Sequence, residues 1–287
     1  MHIASMEQVA AVERTAQRFE TPCGDSAMVW RAWGDGSGGG TPVLLLHGGS
    51  GSWTHWVRNI DALVGAGRRV WIPDLPGFGE SPRPPGGRDA DAVAVPVREG
   101  LQQLLGDLPC DVVGFSFGAM VASFMALAEP ARVARLVLVG APALGIAPPQ
   151  PILLRAFAHL PVGPARERIV AANLAALMLA QPDSIDAFAI ALQEHNVARD
   201  RMRRRGLSRT DILLRNLPAL HMPLHGIWGE RDVLYVGRLD ELEAALRHAP
   251  GFSSLRRIEG AGHWVQFESA QRFDAALLSV LTSSPAQ

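Results

Sequence analysis

The chain has 287 residues, 48% of them hydrophobic and 19% charged, and its Lys+Arg 27 against Asp+Glu 28 leaves a net charge of -1. That composition supports a large buried core, argues against extended disorder, and gives no global field that would favour nucleic acid or an anionic membrane. Cys23 and Cys110 are too few for a disulfide framework and form no CxxC pair. With Glu7, Glu13 and Arg14 breaking any apolar leader and no stretch of membrane-spanning length, the expectation is a cytoplasmic protein whose partner is a small molecule.

Residues 27–33 read as a strand, 34–40 as a flexible turn, and 42–46 as a second strand ending at His47-Gly48-Gly49. A helix is expected around 60–63 and a strand at 70–72, before the loop Asp74-Leu75-Pro76-Gly77-Phe78-Gly79 runs into the proline-rich stretch 81–87. Residues 111–113 form a short buried strand that enters Gly114-Phe115-Ser116-Phe117-Gly118, followed by an apolar, alanine-rich helix over 119–128 and a strand at 136–139. From 143 to 216 the pattern is helical, with runs at 174–179 and 185–192. The alternation then resumes with 224–228, 239–246, 255–258 and 273–281. Short strands alternating with helices predict an α/β fold, a mostly parallel central sheet with helices on both faces. On this reading residues 1–142 and 217–287 form one core, and 143–216 are an inserted helical cap.

The pentapeptide around Ser116 puts a serine between two glycines where a strand gives way to a helix, the sharp turn that exposes a nucleophilic hydroxyl. A serine hydroxyl is a poor nucleophile at neutral pH, so it needs an imidazole to take its proton and a carboxylate to orient that imidazole. Two later strand ends supply them: Trp228-Gly229-Glu230-Arg231-Asp232, and Gly260-Ala261-Gly262-His263-Trp264. Doubly wound sheets collect functional groups beyond the carboxyl ends of their strands, so Ser116, Asp232 and His263 are expected to converge. Glu230 and Asp240 compete for the acid role. His221 and His225 have metal-like spacing, but Pro223 between them breaks the helix that would align them, and no metal is expected. The glycines at 48, 49 and 51 lack both G-x-G-x-x-G and a P-loop lysine, so no nucleotide cofactor is expected either. The basic run 199–205 reads as a solvated face, or as the source of one guanidinium over a substrate carboxylate.

With these residues in hand, the chain resembles the α/β-hydrolase superfamily, through His47-Gly48-Gly49-Ser50, the loop from Asp74 to Ser81, the Ser116 elbow and Gly262-His263. The resemblance implies Ser116 as nucleophile, His263 as general base then acid, and Asp232 as the orienting carboxylate. It also implies the backbone N–H groups of Gly49 and Phe117 as an oxyanion hole, with no cofactor required. By the same analogy His47 and Asp74 brace their loops. Ser50, His55, Phe115 and Trp264 are expected to line the substrate pocket, although His55 also reads as a helix-start residue.

The stretch Gly262-His263-Trp264-Val265-Gln266-Phe267-Glu268 is similar to that of hydrolases that cleave carbon-carbon bonds in ring-fission products of aromatic catabolism, which implies a pocket for a conjugated acid. Those enzymes usually carry asparagine before the serine, whereas this chain has Phe115. Phe115, Phe117 and the apolar cap suit a small or medium apolar acyl group, so carboxylic ester hydrolysis is the first expectation. Carbon-carbon bond hydrolysis of a dienoate is the alternative, and a non-catalytic small-molecule receptor on the same fold is the reading from another class.

Overall fold

A computed structural model describes residues 3–202 and 204–282. Its centre is an eight-stranded sheet built from β1 (Gln17–Cys23), β2 (Ser26–Trp33), β3 (Val43–Leu46), β4 (Val70–Pro73), β5 (Cys110–Phe115), β6 (Val133–Val139), β7 (Leu224–Gly229) and β8 (Phe252–Ile258), in the order β1-β2-β4-β3-β5-β6-β7-β8. β1 pairs antiparallel with β2 and β2 antiparallel with β4, while every pair from β4 to β8 is parallel. The expected mostly parallel sheet is therefore present, with an antiparallel edge at its amino-terminal side.

Side chains on a strand alternate between faces, and in the inner strands β3, β4, β5 and β7 both faces are buried, which is why these strands read as apolar runs. Leu44, Leu46, Val112, Leu136 and Leu138 enter one core with helices α3 (Ala90–Leu105), α4 (Phe117–Ala128) and α8 (Leu239–Leu246). Val43, Leu45, Val113, Val137 and Val139 enter the other, with α1 (Met6–Arg14), α2 (Ile60–Gly65) and α10 (Ala270–Thr282). At about 1.5–3 kcal/mol for each fully buried large apolar side chain, these two layers dominate the stability of the fold.

Between β6 and β7 the chain makes no strand among the described residues. It passes instead through α5 (Pro164–Asn173), a π-type turn at Leu174–Met178, α6 (Ala187–Ala198) and α7 (Ile212–Asn216). The expected run at 174–179 is thus the end of α5 rather than a separate helix. Four elements depart from the sequence reading by being present without having been anticipated: α1, β1, α3 and the short helix α9 (Val265–Glu268). The burial pattern of β1 is mixed because it is an edge strand, and Pro96 lies inside α3 although proline disfavours a helix interior. The last helices, α9 (Val265–Glu268) and α10, follow β8 directly and carry the chain back under the sheet.

Candidate active site

The carboxyl ends of the parallel strands carry all three members of the anticipated serine, acid and histidine set. Ser116 sits between β5 and α4 with φ 50 and ψ -112, a left-handed backbone that costs a residue with a side chain on the order of 1–3 kcal/mol. Its N–H is held by the Val139 carbonyl at 2.8 Å. The flanking glycines are required by close approach: a Cβ on Gly114 would overlap the backbone of Gly118 and Ala119, and one on Gly118 would overlap the Leu46 and His47 carbonyls.

Asp232 and His263 arrive from the turns after β7 and β8. Asp232 is fully buried, and its Oδ1 accepts the Leu234 N–H at 3.0 Å. Its Oδ2 accepts the His263 Nδ1 proton at 2.9 Å, which leaves Nε2 to accept the Ser116 hydroxyl at 3.0 Å. Three residues separated by up to 147 positions therefore form one continuous hydrogen-bonded line. The competing acids are elsewhere: Glu230 is exposed, and Asp240 pairs with Arg257 at 2.7 Å.

The loop after β3 is held by two neutral histidines. Nδ1–H of His47 donates to the Gly48 carbonyl at 2.8 Å, while its Nε2 accepts the Leu75 N–H at 2.9 Å. His55 Nδ1 accepts the Gly48 N–H at 3.2 Å. Burial pushes His47 down to about 4, against the opposing pull of Asp74, and holds His55 well below the ordinary histidine value. Across a trans peptide the C=O and N–H point in opposite directions, so the Gly49 N–H faces away from His47. Phe117 opens α4, where a helix leaves its first N–H groups without internal partners, and no acceptor for the Gly49 or Phe117 N–H occurs among the described residues.

Two cavities meet this machinery. One of about 780 Å³ reaches Ser116 and His263 and is walled by Pro142, Ala143, Ile146, Ile152 and Leu234, with Arg209 and Asp211 at its polar side. The other, of about 540 Å³, adjoins Gly49 and Ser50 and is walled by Phe157, Met178 and Val197, with Arg155, Arg166 and Asp200. Leu177 lines both. Ser50, Ser116 and Ala143, the non-glycine residues with positive φ among those described, all line one cavity or the other. Backbone strain is thus concentrated where a ligand would lie.

Of the residues expected at the pocket wall, Ser50 is there, but His55, Phe115 and Trp264 line neither cavity. They form the floor instead. His55 packs against Phe115 and Trp264 with ring centroids 5.5 and 4.8 Å apart, and Phe115 supports the His263 ring at 5.1 Å. Their apolar rings fill the space between the sheet and the loop, which removes them from the cavity. His55 also lies in a short 3-10 turn, Trp53–Trp56, so its helix-start reading describes its backbone. His225 is on β7, bonded to the Ser254 hydroxyl at 2.9 Å.

The basic run is not simply a solvated face. Arg201 donates to carbonyls of the loop after β4, reaching Gly79 at 3.0 Å and also Ser81. Arg205 pairs with Asp200 at 3.1 Å, lies over the rings of Phe78 and Phe117, and stands so near Gly49 that a Cβ there would meet its Nη2 at 3.1 Å. Arg203 lies outside the described residues. Sequence reasoning had no means of singling out Arg205 within the run. Asp74 accepts from the Trp53 N–H at 2.9 Å, the Glu80 N–H at 3.0 Å and Arg31 at 3.2 Å, and so braces both loops.

A family model for the alpha/beta hydrolase fold matches residues 41–159. The 2-hydroxy-6-oxononadienedioate/2-hydroxy-6-oxononatrienedioate hydrolase 2 of Pseudomonas putida is 30% identical over 265 residues, covering 85% of this chain and 88% of that protein. The 2-hydroxy-6-oxo-6-phenylhexa-2,4-dienoate hydrolase of Burkholderia cepacia is 33% identical over 136 residues, 46% of this chain and 48% of that one. Among solved structures, carboxylesterase CesB (YbfK) from Bacillus subtilis superposes with a TM-score of 0.78 at 19% identity, covering 97% of this chain and 96% of that chain. That likeness establishes the common fold.

Proposed function

Because the chain belongs to the α/β-hydrolase family, we propose that it is a serine hydrolase that cleaves a carbon-carbon bond in a dienoate of the kind released by aromatic ring fission. The observation that carries the catalytic part is the line from Asp232 through His263 to Ser116, at 2.9 and 3.0 Å. The substrate class is supported by relatives whose names specify 2-hydroxy-6-oxo dienoates. This ordering reverses the sequence expectation, in which ester hydrolysis came first.

In this reading Ser116 attacks the ketone carbon and passes its proton to His263, while the oxyanion is held by the Gly49 and Phe117 N–H groups. Breaking the carbon-carbon bond requires the keto tautomer of the dienoate, in which a proton has moved from the 2-hydroxyl to C5, so that the electron pair of the breaking C5–C6 bond is delocalised as a dienolate. That dienolate takes up the proton from His263 and departs, leaving an acyl group on Ser116. A water deprotonated by His263 adds to that acyl carbon, and the carboxylic acid leaves as Ser116 regains its proton. Residues 143–216 act as the cap over both cavities, and Arg205, beside Gly49, faces the dienoate carboxylate.

A specific observation favours ester hydrolysis as the second reading. The residue before Ser116 is a phenylalanine, 1% exposed, and the cavity at the nucleophile is walled mainly by apolar side chains. An unconjugated leaving group needs no polar handling of a delocalised anion.

Intact-mass analysis after treatment with a serine-directed phosphonate tests the nucleophile: one adduct on the wild type, absent from Ser116→Ala, is expected. No adduct on folded protein would overturn the assignment. Comparing kcat/KM for a ring-fission dienoate and short-chain nitrophenyl esters then decides the substrate class, and clearly greater efficiency on the esters would establish the second reading.

A further inference from the structure

The loop that carries His263 is fastened on two sides. On one, the Arg231 N–H donates to the Ala261 carbonyl at 2.8 Å, joining it to the turn that carries Asp232. On the other, it is stitched to the last residue of the π-type turn of the insertion and to the segment that follows it. The Trp264 N–H donates to the Met178 carbonyl at 2.8 Å, and the Gln181 side chain donates to the Gly260 carbonyl at 3.3 Å.

Glu268, at the end of α9, closes this second seam. One carboxylate oxygen accepts the Gln181 N–H at 2.8 Å and the other accepts the Gly262 N–H, the residue before His263. A Cβ on Gly262 would meet the Ala180 nitrogen at 2.7 Å, so the two backbones are in direct contact and one side chain satisfies donors on both. An ionised carboxylate only accepts hydrogen bonds, and its bonds to N–H groups are charge-assisted and strong.

The same segment leads to the cavities. Leu177 lines both of them and Met178 lines the second. Both belong to the π-type turn, a geometry that interrupts regular helix packing and is frequent at functional sites. From cavity wall to imidazole the path is therefore short: Leu177, Met178, the 180–181 backbone, Glu268, Gly262, His263.

We propose that Glu268 is a positioning residue that sets the placement of the His263 imidazole against Ser116. The proposal rests on Ser116 and His263 being the reacting pair. With one carboxylate oxygen on Gln181 and the other on Gly262, Glu268 holds the His263 loop at a fixed distance from the segment that lines the cavities.

The test follows labelling by a long-chain phosphonate, with rate constants expressed per labelled site so that the folded fraction drops out. In Glu268→Gln, whose amide nitrogen opposes a backbone N–H, and in Glu268→Asp, too short to span both donors, the maximal labelling rate should fall about 10- to 100-fold, the scale of misplacing a catalytic group by up to an ångström. The half-saturation concentration should change little. A structural role alone would lower stability and leave the maximal rate per site intact, and such a result in either variant overturns the proposal. A wild type that takes no label at all removes Ser116 as nucleophile, which is a different failure.

Discussion

The Tyr235 hydroxyl donates to the Ala141 carbonyl across 2.7 Å and joins the turn that carries Asp232 to the end of β6. Tyr235 is buried, and its N–H donates to the Asp232 carbonyl at 2.9 Å. Gly140, next to Ala141, backs the His263 ring closely enough that a Cβ there would touch it at 3.2 Å. Tyr235→Phe leaves the Ala141 carbonyl without this donor, so a loss of about 1–3 kcal/mol is expected in urea unfolding. An unchanged midpoint would mean that water replaces the phenol without penalty.

Asp232→Asn should preserve the shape of the site and still lose activity. The Asn oxygen can keep the Leu234 N–H, which turns its NH₂ towards His263 Nδ1. The ring then carries its proton on Nε2 and cannot accept from Ser116. A fall in kcat of about 10⁴-fold is expected, the scale of the same substitution in a serine protease triad. Steady-state kinetics on folded protein checks it, and a loss of less than tenfold would mean that the carboxylate does not set the tautomer.

Arg205→Gln separates substrates by charge. Removing a charged hydrogen bond to a carboxylate costs about 1.5–3 kcal/mol, so kcat/KM for a dienoate should drop about 10- to 100-fold, mostly in KM. A neutral nitrophenyl ester should be nearly unaffected. Equal losses on both substrates would assign Arg205 to packing over Phe78 and Phe117.

Gly118→Ala forces a methyl group onto the Leu46 and His47 carbonyls and pushes α4 away from β3. Overpacking of this kind costs about 1–3 kcal/mol. The melting temperature should fall, and the elbow should loosen with it. An unshifted melting temperature would show that the helix slides at no cost.

Acid should destabilise the fold before any carboxylate network fails. His47 and His55 have depressed affinities for protons, so the unfolded chain binds more protons than the folded one below about pH 6.5, and for His47 this holds down to about 4. Their contribution is present above 6.5 and lost through that window. At about 1.4 kcal/mol per tenfold change in proton affinity, His47 alone accounts for a few kcal/mol. Asp274, raised to about 6 by burial despite its bond from Asn59, works in the opposite direction: it favours the folded state at low pH and loses that effect as pH rises through 6. His225, lowered to about 4 by burial, acts in the same sense as His47 and His55, and these imidazoles outweigh the raised carboxyls of Asp111, Glu268 and Asp274, so urea unfolding should give a smaller free energy at pH 4.5 than at pH 7. A flat profile would show that the loop after β3 opens to water.

The parts legible in the sequence were those where one residue type is forced by local geometry. Gly114 and Gly118 are demanded by backbone contact, Ser116 stands between them, and Asp232 follows β7, a fully buried strand, while His263 is marked by the glycine turn after β8. β1 was not legible because an edge strand needs no apolar alternation, and α3 was hidden by Pro96 and the proline-rich stretch before it. Phe115 and Trp264 look like pocket residues in sequence because they flank Ser116 and His263, and His55 because it lies beside the loop after β3. Whether an aromatic ring faces a cavity or the floor beneath it depends on packing among β3, β5 and α9, which no local pattern records. Glu268 was equally silent, since one partner is six positions away and the other lies 87 positions back in the chain.

β6 and β7 are parallel neighbours, so the chain between them crosses from the carboxyl end of one to the amino end of the other, and the helical insertion is carried within that crossover. Closing such a segment costs only about 0.6 kcal/mol more for each doubling of its length. The scaffold is therefore open to transplantation: a foreign lid carried in the same crossover meets Ser116, His263 and Asp232 already in line, provided it brings a backbone amide to the waiting Glu268 carboxylate.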